Sequence, residues 1–167
     1  MKLTTLGCWG AYPYKDGGTT SYLVTSEDGF QLLMDCGSRA VTELEKEISP
    51  LDLDAVIISH YHPDHVADLG VLRHYFQLYP KHLWEPKILP IYGHTEDEQE
   101  FAKLTLDGVS QGKAYDVNGV EKIGPFDITF IKTVHPVPCY AFRIVEHATG
   151  QTLVFTGDTG YFEGLDK

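Results

Sequence analysis

The sequence predicts a layered α/β sandwich. Three observations predict it: short β-rich runs outnumber helical patterns, one run is apolar without a break, and histidine and aspartate clusters fall where such runs end. Residues 3–8 read as a strand leading into a glycine-rich stretch, Gly7-Cys8-Trp9-Gly10-Ala11-Tyr12-Pro13. Residues 19–25 and 30–35 are β-rich, and the Asp28-Gly29 pair between them marks a hairpin turn. Ala40, Val41, Leu44 and Ile48 recur at helical spacing, and Pro50 lies where that helix must have stopped.

Ala55-Val56-Ile57-Ile58 is the unbroken apolar run, the pattern of a strand buried on both faces. It passes directly into Ser59-His60-Tyr61-His62-Pro63-Asp64-His65. Leu69, Leu72, Tyr75 and Phe76 predict a helix, and residues 88–92 another short strand. Thr95-Glu96-Asp97-Glu98 has the form of a capping box and predicts a helix reaching residue 106. Asn118-Gly119 is a turn between strands at 113–117 and 120–123. Residues 126–134 alternate apolar and polar before His135-Pro136. Strands at 140–145 and 152–155 flank a turn at Thr149-Gly150, and the second runs into Thr156-Gly157-Asp158-Thr159-Gly160. No repeat, low-complexity tract or linker divides the chain, so 1–167 reads as one domain.

Composition narrows the function. The 167 residues are 43% hydrophobic and 22% charged, which is enough apolar material for a core. Lysine and arginine total 13 against 24 acids, a net charge of −11. That balance argues against a protein that grips nucleic acid through a basic surface. A phosphate-bearing substrate stays open, because bound cations add positive charge that the count ignores. No apolar run approaches the ~18–20 residues of a membrane span, and the start turns polar too early for a signal peptide, so no membrane partner is expected. Cys8, Cys36 and Cys139 are odd in number and form no C-x-x-C, which makes a reducing cytoplasm the simple location.

The chemistry is concentrated in His60-x-His62-x-Asp64-His65. Side chains two apart on an extended segment share a face, so His60 and His62 offer two imidazoles to one ion. Pro63 stiffens the turn, after which Asp64 and His65 serve a neighbouring position. A merely solvated histidine-rich loop is the bland alternative, and metal-ligand spacing weighs against it. His135 alone would be an ordinary loop histidine and Asp158 alone a turn residue; their places at strand ends make them candidate ligands. His74 and His82 read as surface or packing residues and His147 as exposed. His94 reads as packing beside a helix cap, with a substrate contact as its alternative. Cys139 reads as a buried small hydrophobe, with a soft metal ligand as its alternative. Trp9, Tyr12 and Tyr14 either line a pocket beside the glycine-rich loop or simply pack.

This string resembles the signature of the metallo-β-lactamase superfamily, and the resemblance spans almost the entire chain. Leu6-Gly7-x-x-Gly10-x-x-Pro13, Asp35-Cys36-Gly37, His135 after a strand and Thr156-Gly157-Asp158-Thr159 occur in the family's order. The chain looks most like the ribonuclease-Z-like and phosphodiesterase-like hydrolases. Members that hydrolyse β-lactams usually lack the last histidine of the string, so His65 points away from that activity. The resemblance implies an αββα sandwich in which His60, His62 and His135 hold one metal ion, Asp64 and His65 lie on a second, and Asp158 bridges the two. Zinc is the ion favoured, with manganese or iron as alternatives. Two ions ~3.5–4 Å apart activate water, polarise the scissile group and stabilise the leaving oxygen. Asp64 would orient that water and pass a proton to the leaving group. Gly157 would let the backbone turn tightly, with Thr156 and Thr159 supporting the ligands.

Family members continue to a final histidine that completes the second site, and this chain carries no such residue. The resemblance therefore implies either that the C-terminal part of the sandwich is missing from it, the better reading, or that the second site is incomplete. The interval between His135 and Asp158 has no room for the protruding arm with which long bacterial ribonuclease Z proteins grasp transfer RNA. The first loop offers Lys15-Asp16-Gly17-Gly18 in place of their basic, asparagine-bearing segment. Dedicated transfer-RNA binding is therefore not expected; a small-molecule or single-stranded phosphodiester is. Two other roles stay open: an ester, lactone or thioester hydrolase built on the same ligands, and a non-catalytic metal-binding domain. Related enzymes are often dimers, and a homodimer is expected by that analogy.

Overall fold

The computed structural model describes residues 1–79, 82, 85 and 87–163. The last residues, 164–167, on which part of the missing-half expectation rests, lie outside the described residues. In chain order the elements are β1 (Lys2–Trp9), β2 (Gly18–Thr19), β3 (Ser21–Thr25), β4 (Gln31–Met34), α1 (Ala40–Leu44), a 3-10 turn (Pro50–Asp52) and β5 (Ala55–Ile57). There follow α2 (Pro63–Val66), α3 (Leu69–Leu78), β6 (Leu89–Gly93), α4 (Glu98–Ala102), β7 (Ser110–Ala114), β8 (Glu121–Ile123), β9 (Phe126–Lys132), β10 (Tyr140–Glu146) and β11 (Thr152–Phe155).

The described strands form two sheets, one of seven in the order β2-β1-β3-β4-β5-β6-β7 and one of four in the order β11-β10-β9-β8. The larger sheet changes character at β4: β1, β3 and β4 pair antiparallel, whereas β4, β5, β6 and β7 run parallel. Strand alternation divides the core into two clusters. Leu32, Met34, Ala55 and Ile57 face the four-stranded sheet and pack with Phe126, Ile128, Phe142 and Ile144. Leu33, Val56 and Ile58 face the other way, against Ala40, Val41 and Leu44 of α1 and Leu69, Leu72 and Phe76 of α3. The unbroken apolar run of β5 is therefore buried on both faces, as its composition predicts. The layers are helices, large sheet and small sheet, and the His60–His65 segment leaves the C-terminal end of β5, where parallel strands commonly present sites.

Several boundaries differ from the expectations. α1 stops at Leu44 instead of running to Ile48, the chain turning through Glu45–Ile48 before Pro50 opens the 3-10 turn. The cap of α4 is Asp97, not Thr95: its carboxylate accepts from Glu100 N at 3.0 Å, and the helix is short. Asp97-Glu98-Gln99-Glu100 satisfies the same acid-at-third-position pattern two residues later. The strand expected at 113–117 is β7, three residues earlier, and it pairs in parallel with β6 rather than in a hairpin with β8. Tyr115, just past the strand, still donates its N–H to Gly93 O at 3.2 Å, and its ring stacks on Phe130 between the sheets with centroids 4.1 Å apart. The Asp28-Gly29 turn is where it was expected, with Gly29 at φ 91 and β3 paired antiparallel with β4.

Candidate metal centre

The segment from Ser59 to His65 is held from both sides. Ile58 N donates to Tyr92 O at 2.9 Å, and Tyr140 N donates to Ser59 O at 3.2 Å, which ties the segment to the large and small sheets respectively. Below it, Asp35 follows β4 with φ 54, a left-handed conformation that aspartate tolerates better than most residues. This turn buries its carboxylate under the ligand segment. Oδ1 accepts from Ser59 N at 2.7 Å, and Oδ2 accepts from Ser59 Oγ at 2.8 Å and from His65 Nδ1 at 2.7 Å. Cys36 N donates to His65 O at 2.8 Å. Gly37 lies so close beneath that a methyl group there would overlap the Asp64 carbonyl oxygen and Thr19 Oγ1. Asp35-Cys36-Gly37 is thus the bed of the site, a role that sequence reasoning missed although the string itself stood out.

Two groups of donor atoms converge above this bed. His60, His62 and His135 form one, and His60, His65 and Asp158 the other, the atoms of each lying within 4.8 Å of one another. His60 Nε2 is 3.1 Å from His62 Nδ1, which is 3.0 Å from His135 Nε2. Asp158 reaches toward both groups, with Oδ1 3.4 Å from His65 Nε2 and Oδ2 4.0 Å from His135 Nε2. Asp64 lies at the margin: its Oδ2 is 3.7 Å from His65 Nε2 and accepts from Ala11 N at 2.7 Å, and it belongs to neither group. His60 is common to both groups, whereas the sequence reading placed it in the first alone.

These residues fit a cation. With Nδ1 of His65 committed to Asp35, its Nε2 is buried, lacks a hydrogen-bond partner and faces two carboxylates. A lone pair opposed to carboxylates across a buried gap is repulsive unless a proton or a metal ion lies between them. Burial lowers the His65 pKa, but the Asp35 hydrogen bond and charge, with those of Asp158 and Asp64, outweigh it and raise the value above that of an ordinary histidine. His60 behaves oppositely: burial first, then the neighbouring His65, His135 and His62, press its pKa down to about 2. Burial also lowers His135, reinforced by His62 and His65 against the pull of Asp158. Neutral imidazoles with free lone pairs beside carboxylate oxygens are the donor set of zinc, manganese or iron.

The other histidines stand outside the centre. His74 and His82 are exposed, and His147 pairs with Asp127 at 2.9 Å. His94 is buried, its ring packed 4.6 Å from that of Tyr61 and 5.7 Å from that of Tyr140. Cys139 is buried, its thiol pKa raised chiefly by that burial, and it belongs to neither donor group. Thr133 Oγ1 donates to Asp158 O at 2.8 Å, and Gly160 N donates to Val134 O at 2.7 Å, which joins the His135 and Asp158 loops.

The family model described as the metallo-beta-lactamase superfamily matches residues 14–166. The chain belongs to the metallo-β-lactamase superfamily. It is 43% identical over 161 residues to the probable metallo-hydrolase YhfI of Bacillus subtilis, covering 96% of this chain and 65% of that protein. It is 29% identical over 140 residues to a ribonuclease Z of Methanopyrus kandleri, covering 83% of this chain and 48% of that protein. The crystal structure of the B. subtilis YhfI superposes with a TM-score of 0.88 at 42% identity, over 96% of this chain and 64% of that one. Human short-form tRNase Z shares the fold, with a TM-score of 0.74 at 21% identity over 98% of this chain and 71% of that one. The chain thus spans less than two thirds of the curated relatives' length. Superfamily membership and relatives named as metallo-hydrolases support an enzyme, and the histidine and aspartate groups suit a divalent metal.

Proposed function

We propose that the chain is the metal-binding part of a binuclear, zinc-dependent phosphodiesterase that acts in the cytoplasm on a small or single-stranded phosphodiester. The observation that carries this reading is Asp158, with one oxygen toward each donor group, where a carboxylate could be shared by two ions. His60, His62 and His135 would hold the first ion, and His65 with Asp64 the second. Zinc bound there would lower the pKa of water toward neutrality and polarise the scissile group.

The chain's own residues do the rest. Asp35 fixes the ring of His65 with Nε2 free. Asp64, anchored by Ala11 N–H, would orient the attacking water, take its proton and pass that proton to the leaving oxygen. Water and the diester give a phosphomonoester and an alcohol. The ribonuclease Z relatives and the presence of His65 support a phosphodiester, and the net charge of −11 supports a substrate other than transfer RNA. Three free cysteines support a reducing compartment. A homodimer is the proposed assembly.

The test is turnover by the zinc-loaded natural gene product of an activated phosphodiester, a lactone and a thioester. Hydrolysis of the diester, abolished by chelation and restored by zinc, is the expected result. Turnover of lactones or thioesters but not the diester would overturn it in favour of an ester-type hydrolase. Absence of all three activities would favour a binding role.

A further inference from the structure

The first loop carries an aromatic surface that the metal centre does not use. Trp9, Tyr12 and Tyr14 are 46%, 70% and 49% exposed. Trp9 ends β1 and Tyr12 and Tyr14 follow it in the loop, each offering a large apolar face to water. The loop is braced by its own contacts. Tyr14 and Gly17 exchange backbone hydrogen bonds of 3.2 and 3.0 Å around Lys15-Asp16. The rings of Trp9 and Tyr14 lie 5.2 Å apart, and the Lys15 ammonium stands 5.2 Å over Tyr14. Trp9 also lies against Gly17 so closely that a Cβ at 17 would overlap the indole.

The same loop is wired to the site. Ala11 donates its N–H to Asp64 Oδ2 at 2.7 Å, and Gly10 lines the 420 Å³ cavity that Asp158 also lines. Ala11 (φ 62) and Lys15 (φ 51) hold left-handed backbone without being glycine. Such strain persists where the surroundings over-determine a particular loop shape.

We infer that Trp9, Tyr12 and Tyr14 are specificity residues that stack on the base of a nucleotide phosphodiester, with Lys15 beside them for its phosphate charge. This rests on the phosphodiesterase reading and names its substrate class, a nucleoside-bearing diester rather than a plain alkyl one. A net charge of −11 gives little long-range attraction for a nucleotide, so with the phosphate left to bound cations, stacking would supply the affinity for the base. Every base has a π-face, and a ring surface ordered in advance loses little freedom on binding. Through Ala11, a base seated on this loop stands in fixed relation to Asp64.

Two diesters test it: thymidine para-nitrophenyl phosphate and methyl para-nitrophenyl phosphate share a leaving group and differ in the nucleoside. The zinc-loaded full chain should prefer the nucleoside ester through KM. Trp9→Ala and Tyr14→Ala should each reduce that preference about 5- to 150-fold, and Tyr14→Phe should retain it. A second readout is independent of turnover. In a Trp84→Phe background, adenosine monophosphate should quench Trp9 emission saturably, with weaker half-saturation in Tyr14→Ala. If neither ester is hydrolysed, the phosphodiesterase reading fails and the quenching alone decides the loop's role. An unchanged preference in the alanine variants, no saturable quenching, or a Trp9 that iodide cannot reach in the full chain would overturn the inference.

Discussion

Replacing Asp35 by asparagine removes a charge and no volume, so its effects isolate what the carboxylate does. Asp35 is fully buried, and its carboxylate accepts three hydrogen bonds, two from Ser59 and one from His65 Nδ1. An amide can still accept from Ser59 N, but its NH₂ then confronts Ser59 Oγ and His65 Nδ1. Losing the charge-assisted contact to His65 costs roughly 1.5–3 kcal/mol. At about 2–4 °C per kcal/mol for a chain of this size, the melting temperature of the metal-free protein should fall by about 3–12 °C. The larger consequence is tautomeric. Opposed to an NH₂ group, Nδ1 becomes an acceptor and the proton moves to Nε2, the atom that faces Asp64 and Asp158. His65 is then lost as a ligand, and affinity for one ion should drop about 10- to 100-fold. Competition titration with a zinc indicator, alongside calorimetry, measures both effects. An Asp35→Asn protein that binds as many ions, as tightly, and melts at the same temperature would refute the reasoning.

Other substitutions probe the remaining parts of the site. Gly37→Ala should destabilise by about 1–3 kcal/mol and weaken metal binding, because its methyl group would meet the backbone of Asp64 and Thr19 Oγ1; an unchanged denaturation midpoint counts against the tight bed. His62→Ala should cost the first donor group its central nitrogen and sharply lower metal content, and wild-type stoichiometry by elemental analysis would exclude His62 as a ligand. Glu96 accepts from Lys132 and Tyr140, and the Lys132 contact, ahead of that from Tyr140, holds its carboxyl below the usual range. A lowered folded pKa contributes stability above the unfolded value and loses it as pH falls through the folded one. Glu96→Gln should therefore flatten the acid limb of stability below about pH 4.5, by no more than about 1 kcal/mol for so exposed a pair. A melting-temperature profile against pH identical to wild type would contradict it.

Much of this architecture was legible because local pattern and tertiary role coincide. The β5 run is apolar at every position because Val56 and Ile58 face the helices while Ala55 and Ile57 face the small sheet. His60, His62, Asp64 and His65 announced themselves because the donors stand close together in sequence. Asp35 did not, since its partner His65 lies on another strand's exit and nothing local shows that a buried carboxylate waits beneath it. The Ala11 to Asp64 hydrogen bond is hidden for the same reason: a backbone N–H leaves no mark in the sequence. The displaced strand at β7 has a different cause. The Asn118-Gly119 turn suggests a hairpin, but the register of β7 is set by parallel pairing with β6, from Leu89 with Ser110 to Gly93 with Ala114, which local sequence does not show.

The most direct measurement is anomalous diffraction at the zinc absorption edge from crystals of the zinc-loaded protein. Two peaks are expected, one among His60, His62 and His135 and one beside His65, with Asp158 between them. Density that places no ion within bonding reach of His60 or His65 would contradict a metal centre in this fold.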